Sequence, residues 1–183
     1  MRGVNRYTWV DTAYDLSWTV AVSRGRTVDE VRVAYGVDQG IGLLTFGQAD
    51  AERAEHLGDY GLVQFKAHGE YLVAIEPNGW VGNGAEVACV LSRPTGLFFS
   101  VYWSVNGHQL VQAVDGRITG RFDPTFIGLP AGANDLLPGW VGDDEFPLEH
   151  LRSASLAAME RRTGLSFDPV WLTEPLPTYR IPA

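Results

Sequence analysis

A single cysteine in 183 residues rules out an internal disulfide. Cys89 has no CxxC companion and sits among Val87, Ala88, Val90 and Leu91 without a basic neighbour, the setting of an inert thiol. Long apolar runs are also missing. No stretch reaches the roughly eighteen residues that a membrane-spanning helix needs, and the segment after Met1 leads into no apolar signal core. The expectation is a cytoplasmic protein that neither crosses nor binds a membrane. Positive charge is scarce: 14 Lys and Arg against 22 Asp and Glu leave a formal charge of −8. Arg161-Arg162 is the only basic pair. Nucleic acid recognition, which depends on neutralising phosphates, is therefore disfavoured, and a basic protein partner suits the charge better.

Catalytic signatures are missing too. The four histidines, at 56, 68, 108 and 150, have neither HxxxH nor HExxH spacing, and the chain has no GxSxG elbow, P-loop or GxGxxG fingerprint. Asp143-Asp144-Glu145 lacks the alternating pattern of a calcium loop, and negative charge there suits the start of the following helix. No catalytic residue, metal-ligand set or cofactor is assigned.

What is present is an ordinary apolar fraction of 45% with 21 Gly, 10 Pro and 6 Trp, the balance of a turn-rich, sheet-rich core. A chain of this length buries about 70% of its unfolded surface and folds without staples. The reading is an α+β domain spanning 1–183, built on an antiparallel sheet packed by helices. It comprises an N-terminal extension (1–13), sheet and helices (14–122), an ordered long loop (123–146), and C-terminal helices with a tail (147–183). Leu16, Trp18, Val20 and Val22 alternate as a strand does. Thr27 and Glu30 have capping-box spacing for a helix over 28–35 closed by Gly36. A second strand is expected over 41–46 and a helix over 48–57. A hairpin follows, with strands over 61–67 and 71–76. Asn83 and Glu86 have cap spacing for a helix over 84–91.

The clearest element is a three-strand meander from about Leu97 to Phe122. Asn106-Gly107 and Asp115-Gly116 are the dipeptides preferred in two-residue type I′ turns. As such turns they place Trp103 opposite Leu110, Val105 opposite His108, Val114 opposite Arg117 and Ala113 opposite Ile118. One face then carries Phe99, Val101, Trp103, Val105, Leu110 and Val114; the other carries Phe98, Tyr102, Val111, Ala113, Ile118 and Phe122. Both faces are apolar, so both need cover. The Gly- and Pro-rich stretch after Asp123-Pro124 holds Phe126, Ile127, Leu129, Leu136, Leu137 and Trp140, too many large apolar groups for a disordered segment, so it is expected to wrap the domain. An amphipathic helix over 147–163, with Leu148, Leu151, Ala154, Ala158 and Met159 on one stripe, ends at Gly164, and Asp168-Pro169 opens a short final helix.

Glu76-Pro77-Asn78-Gly79 reads as a turn with Pro where its φ suits and Gly where φ turns positive. Trp80 directly after it can anchor a partner or plug the end of the sheet. Trp140 invites the same two readings. Candidate binding residues are Glu76, Asn78, Trp80, Trp103, His108 and Trp140.

The segments AIEPNGW (74–80), FFSVYWSVN (98–106) and VDGRITGRFD (114–123), with a terminal helix ending Arg161-Arg162-Thr163-Gly164, resemble a domain family of unknown function common in actinomycetes. That family is marked by an EPNGW-type turn and an SVYxxVN strand. The resemblance covers about residues 14–172 and carries no enzymatic activity across. Trp103-Ser104 departs from it, standing where the family pattern often has a charged or amide residue.

Three functions are compatible with these features. One is a non-enzymatic protein-binding or regulatory module, including an immunity-type protein that masks a toxin. Another is an enzyme of unfamiliar type that pairs His108 or His68 with Glu70, Glu76 or Asp115 in a cleft. The third is a small-molecule binder with a pocket under 124–145. Negative charge, abundant aromatics and missing catalytic motifs favour the first.

Overall fold

A computed structural model of the chain describes residues 3–13, 17–37, 39–94, 96–105, 107–129, 136–142 and 145–183. The expectations for Leu16, Asn106, Asp143 and Asp144 lie outside these residues. Eight strands form one antiparallel sheet: β1 (Trp18–Arg24), β2 (Gln39–Leu44), β3 (Tyr60–His68), β4 (Tyr71–Pro77), β5 (Leu97–Ser104), β6 (Gly107–Val114), β7 (Arg117–Phe122) and β8 (Leu176–Pro182). Their order is β2-β8-β3-β4-β1-β5-β6-β7. The described helices are α1 (Val4–Tyr7), α2 (Val28–Ala34), α3 (Phe46–Glu55), α4 (Ala85–Leu91) and α5 (Leu151–Thr163). The α+β expectation holds, and none of these helices is long and apolar enough to cross a membrane.

Period-two alternation sends the strand side chains into two separate cores. Trp18, Val20 and Val22 of β1 join Val73, Ile75, Phe99, Val101, Trp103 and Leu110 on one face, under α1, α5 and Phe167. Ala21, Leu72, Ala74, Phe98, Val111 and Ala113 occupy the other, under Val31 and Tyr35 of α2 and Val87, Ala88 and Leu91 of α4. The Thr27–Glu30 capping box is present, and α3 begins on a second one, Thr45 with Gln48, two residues before its expected start. Residues 4–10 do not trail free: Val4, Tyr7 and Val10 are buried, and the Tyr7 hydroxyl donates to Glu160 at 2.7 Å.

The meander is correct in extent but not in every register. Asp115 (φ 51°) and Gly116 (φ 78°) make the expected turn, with Val114 opposite Arg117 and Ala113 opposite Ile118. At the other turn Ser104 pairs with Gly107, so Trp103 faces His108, not Leu110. Gly107 belongs to a strand. A slip of two residues leaves every side chain on its own face, so the apolar pattern does not choose between the two registers. Contacts in the fold do: Trp103 packs on Trp18 at 4.9 Å and on His108 at 6.0 Å between centroids. Phe122 lies on the opposite face from the one expected. A bulge on β7 leaves Thr119 as an extra residue opposite the Gln112–Ala113 step of β6 and turns Phe122 toward Trp140 and Phe146.

Other expectations need correction. The tail contains a strand: β8 lies between β2 and β3, with Leu176 and Ile181 at 3% and 5% exposure. Two prolines in seven residues argue against a strand, but Pro177 and Pro182 sit near its ends and point outward. Asn83 does not cap α4; Gly84 holds that position without a side-chain bond. Leu148 belongs to a 3-10 turn before α5 and is 70% exposed. Helix α5 itself is buried almost all round, from Ser153 to Met159, because its Ser and Ala residues allow close approach. Of the long loop, Ile127, Trp140 and Val141 pack down and Phe146 is buried, but Phe126, Leu129, Leu136 and Leu137 stay exposed.

Deleting residues 176–183 should abolish cooperative urea unfolding followed by near-UV circular dichroism. Strand β2 loses its partner and β3 becomes an open edge. A retained sharp transition would show that β8 is dispensable.

Candidate functional site

The register collects the strand ends that matter. Trp18, at the start of β1, pairs with Pro77 at the end of β4 and with Trp103 near the end of β5, and Trp103 pairs with His108 near the start of β6. Glu76, Asn78, Trp80, Trp103 and His108 therefore gather at one end of the sheet. Trp140 does not join them. It packs on Phe99 and Phe122 and donates from Nε1 to Gln112 at 2.9 Å.

The turn carrying Trp80 is built around a buried carboxylate. Glu76, fully buried, accepts from the Val81 N–H at 2.8 Å and the Gly82 N–H at 2.6 Å, one on each oxygen. A Cβ on Gly82 would lie 2.1 Å from the Tyr35 hydroxyl, so only glycine fits there. The positive φ expected at Gly79 belongs instead to Asn78 (φ 46°), whose N–H donates to Ser17. Gly79 is needed for room, since a Cβ there would stand 2.8 Å from Glu76 Oε2. Asn83 bridges outward, donating to Gln109 and accepting from Ser100, both at 2.8 Å. Trp80 is thus 66% exposed on a turn fixed from beneath.

Burial pushes the Glu76 carboxyl up to about 7. The Gly82 and Val81 N–H groups oppose this, as does the Tyr35 hydroxyl, which faces the carboxylate without a hydrogen bond of ordinary geometry.

Three clefts flank this end. One of about 500 Å³ is lined by Trp103, His108, Asp123 and Arg152 among others. A second, about 340 Å³, shares Gly107, His108 and Asp123 with it and reaches Trp80. The third, about 350 Å³, lies on the other side of Trp80, over Glu76, Tyr60 and Ile181. Trp103 is 1% exposed and forms part of the floor. The beginning of the long loop, Asp123 to Phe126, borders the 500 Å³ cleft.

His108 is 9% exposed, with Nε2 3.0 Å from the Ser155 hydroxyl. Burial, with a smaller contribution from Arg152 and against the pull of Asp123, drives its pKa down to about 4, so the ring is neutral near pH 7. Asp, His and Ser come together here, yet Ser155 is fully buried and lines none of the three clefts. It is not a nucleophile open to substrate. Nor does His108 meet Glu70 or Asp115. Asp115 and Glu70 sit in turns at the opposite end of the sheet, Glu70 pairing with Arg24. His68 lies there too, against Trp171. Elsewhere, Glu52 and Glu55 of α3 and His56 just past its end bring ligand atoms within 4.8 Å. Tyr60 donates to Glu52 at 2.7 Å and Arg180 stands 3.9 Å away, a surface polar network.

Asp123, Arg152 and Ser155 were invisible as site residues in the sequence. Asp123 caps a 3-10 turn through Thr125, and Arg152 lies on α5, far along the chain from β6. Fold and site together define an α+β protein with the exposed Trp80 and two adjoining clefts at one end of a covered sheet. Comparison with protein-family models, curated proteins and solved structures gave no match.

The Glu76 geometry gives a pH test. Its folded-state pKa, about 7, lies above the ordinary 4.5, so between these values the folded chain holds a proton that the unfolded chain releases. The Glu76 contribution to stability falls as pH rises through this window, by on the order of 3 kcal/mol, while His108, whose folded-state pKa of about 4 lies below the ordinary 6.5, opposes it over most of the range. Chemical denaturation should therefore show stability rising with pH more steeply in Glu76→Gln than in the wild type, and equal slopes in the two would contradict the buried-proton reading.

Proposed function

We propose that this chain is a non-enzymatic protein-binding or regulatory module, and that it docks its partner through the strand-end surface around Trp80. The observation that carries the reading is the clustering of exposed apolar side chains there. Trp80 at 66%, Val105 at 92%, Phe126 at 54% and Leu148 at 70% border two adjoining clefts that share His108 and Asp123. Grouped exposed apolar side chains rimmed by polar ones mark interaction sites, whereas single ones do not. Trp80 is suited to be the anchor because its turn is already ordered, so little conformational freedom is lost on docking.

The charge of −8 favours a basic partner and speeds encounter with one. An immunity-type role, in which an acidic protein covers a toxin or effector in the cytoplasm, is the specific form proposed. The resemblance to the actinomycete family belongs to the same proposal, since its EPNGW-type turn is the one that mounts Trp80.

Trp80→Ala should leave thermal stability within about 0.5 kcal/mol of wild type, as surface substitutions do. It should also abolish capture of the partner from native lysate, while Val33→Ala, on the far face of α2, retains it. Equal capture by both variants would refute the docking surface.

A further inference from the structure

We infer that the 500 Å³ cleft seats a basic side chain, lysine or arginine, of the protein partner, its nitrogen held between Asp123 and Nδ1 of His108. This rests on the docking reading above and names the chemistry that reading requires of the partner.

The proton inventory comes first. The Ser155 hydroxyl has one hydrogen and lies 2.7 Å from the Leu151 carbonyl, which can only accept. Ser155 therefore donates to Leu151 and receives the Nε2–H of His108 across 3.0 Å. A neutral imidazole with its proton on Nε2 carries a lone pair on Nδ1. No hydrogen bond reaches Nδ1 from any described residue. The cleft thus contains an acceptor, on a ring only 9% exposed, that no described residue satisfies.

Charge points the same way. Of the cleft's ionic groups, Asp11 is committed to Ser153 and His150. The Arg152 guanidinium donates to the Ala13 carbonyl at 2.7 Å and lies 5.7 Å over the Trp103 ring. Asp123 spends one oxygen on the Thr125 N–H and makes no ion pair among the described residues. Glu149 makes none either. The ionic groups left are two anions, Asp123 and Glu149, against one cation, Arg152, whose Nη1 is bonded to backbone carbonyls. A nitrogen with several hydrogens satisfies Asp123 and Nδ1 together. Val105, Phe126 and Leu148 at the rim can cover the methylene stem of such a side chain.

The test uses two small probes of four carbons each and opposite charge, n-butylammonium chloride and sodium butyrate, titrated into ¹⁵N-labelled full chain. The expected result is saturable shifts at Gly107, His108 and Thr125 with n-butylammonium and none with butyrate. Asp123→Asn keeps an oxygen to cap Thr125, so the fold is retained, and it should weaken n-butylammonium about fivefold, the loss of one partly screened charge pair. The long-range histidine ¹⁵N spectrum should show Nδ1 of His108 unprotonated. Butyrate binding as well as the amine, no saturable amine binding, an unchanged affinity in Asp123→Asn, or an Nδ1–H tautomer would each overturn the assignment. The probes need no protein partner: failure here with Trp80-dependent capture intact rejects only the cation seat, whereas amine binding without such capture rejects only the docking reading.

Discussion

Burial of the sheet on both faces is the constraint from which the rest follows. In a sheet covered on one side only, alternate residues along each strand can carry polar or reactive groups. Here β1 sends Trp18, Val20 and Val22 into one core and Ala21 into the other, and Thr19 and Ser23 are buried as well. A group placed mid-strand must be satisfied inside the protein, since an unpaired buried polar atom costs about 1–3 kcal/mol. Thr19 and Ser100 obey this rule, donating to the Gly79 carbonyl and to Asn83. What remains for contact with other molecules is the perimeter, and the richest stretch of it is the end where β4, β5, β6 and β7 deliver Trp80, Val105, His108 and Asp123.

That end is expensive to build. Glu76 is a fully buried carboxylate, tolerated because two backbone N–H groups meet its oxygens. The same bonds fix the 3-10 turn Val81–Asn83 and, through it, the exposed indole of Trp80. His108 is likewise held from one side, its Nε2 against the Ser155 hydroxyl. A buried polar residue that supports an exposed one, as Glu76 does Trp80, is an arrangement expected for a preformed recognition surface.

The parts legible in sequence were those specified locally. Thr27 with Glu30 and Asp115 with Gly116 carry their own geometry, and alternation in β1 and β5 revealed the two cores. The parts that escaped depend on distant partners. Strand β8 is short and bears two prolines; only its place between β2 and β3 makes it a strand. The slip at Ser104–Gly107 preserves face alternation, so it leaves no trace in the apolar pattern. The bulge opposite Gln112 turns Phe122 over without altering any motif. Among site residues, the Glu76–Trp80 turn could be read because five consecutive residues encode it. Asp123 and Arg152 could not, because α5 and β7 meet only in the folded chain.

The central claim is that recognition takes place at the strand ends and not on the helical covers or the β2 edge. Site-specific photocrosslinking tests it most directly, with a photoreactive residue placed in turn at Trp80, at Val33 on α2 and at Leu43 on β2, all exposed. Irradiation in native lysate should give a discrete adduct from position 80, with positions 33 and 43 silent. An adduct from 33 or 43, with none from 80, would contradict the account.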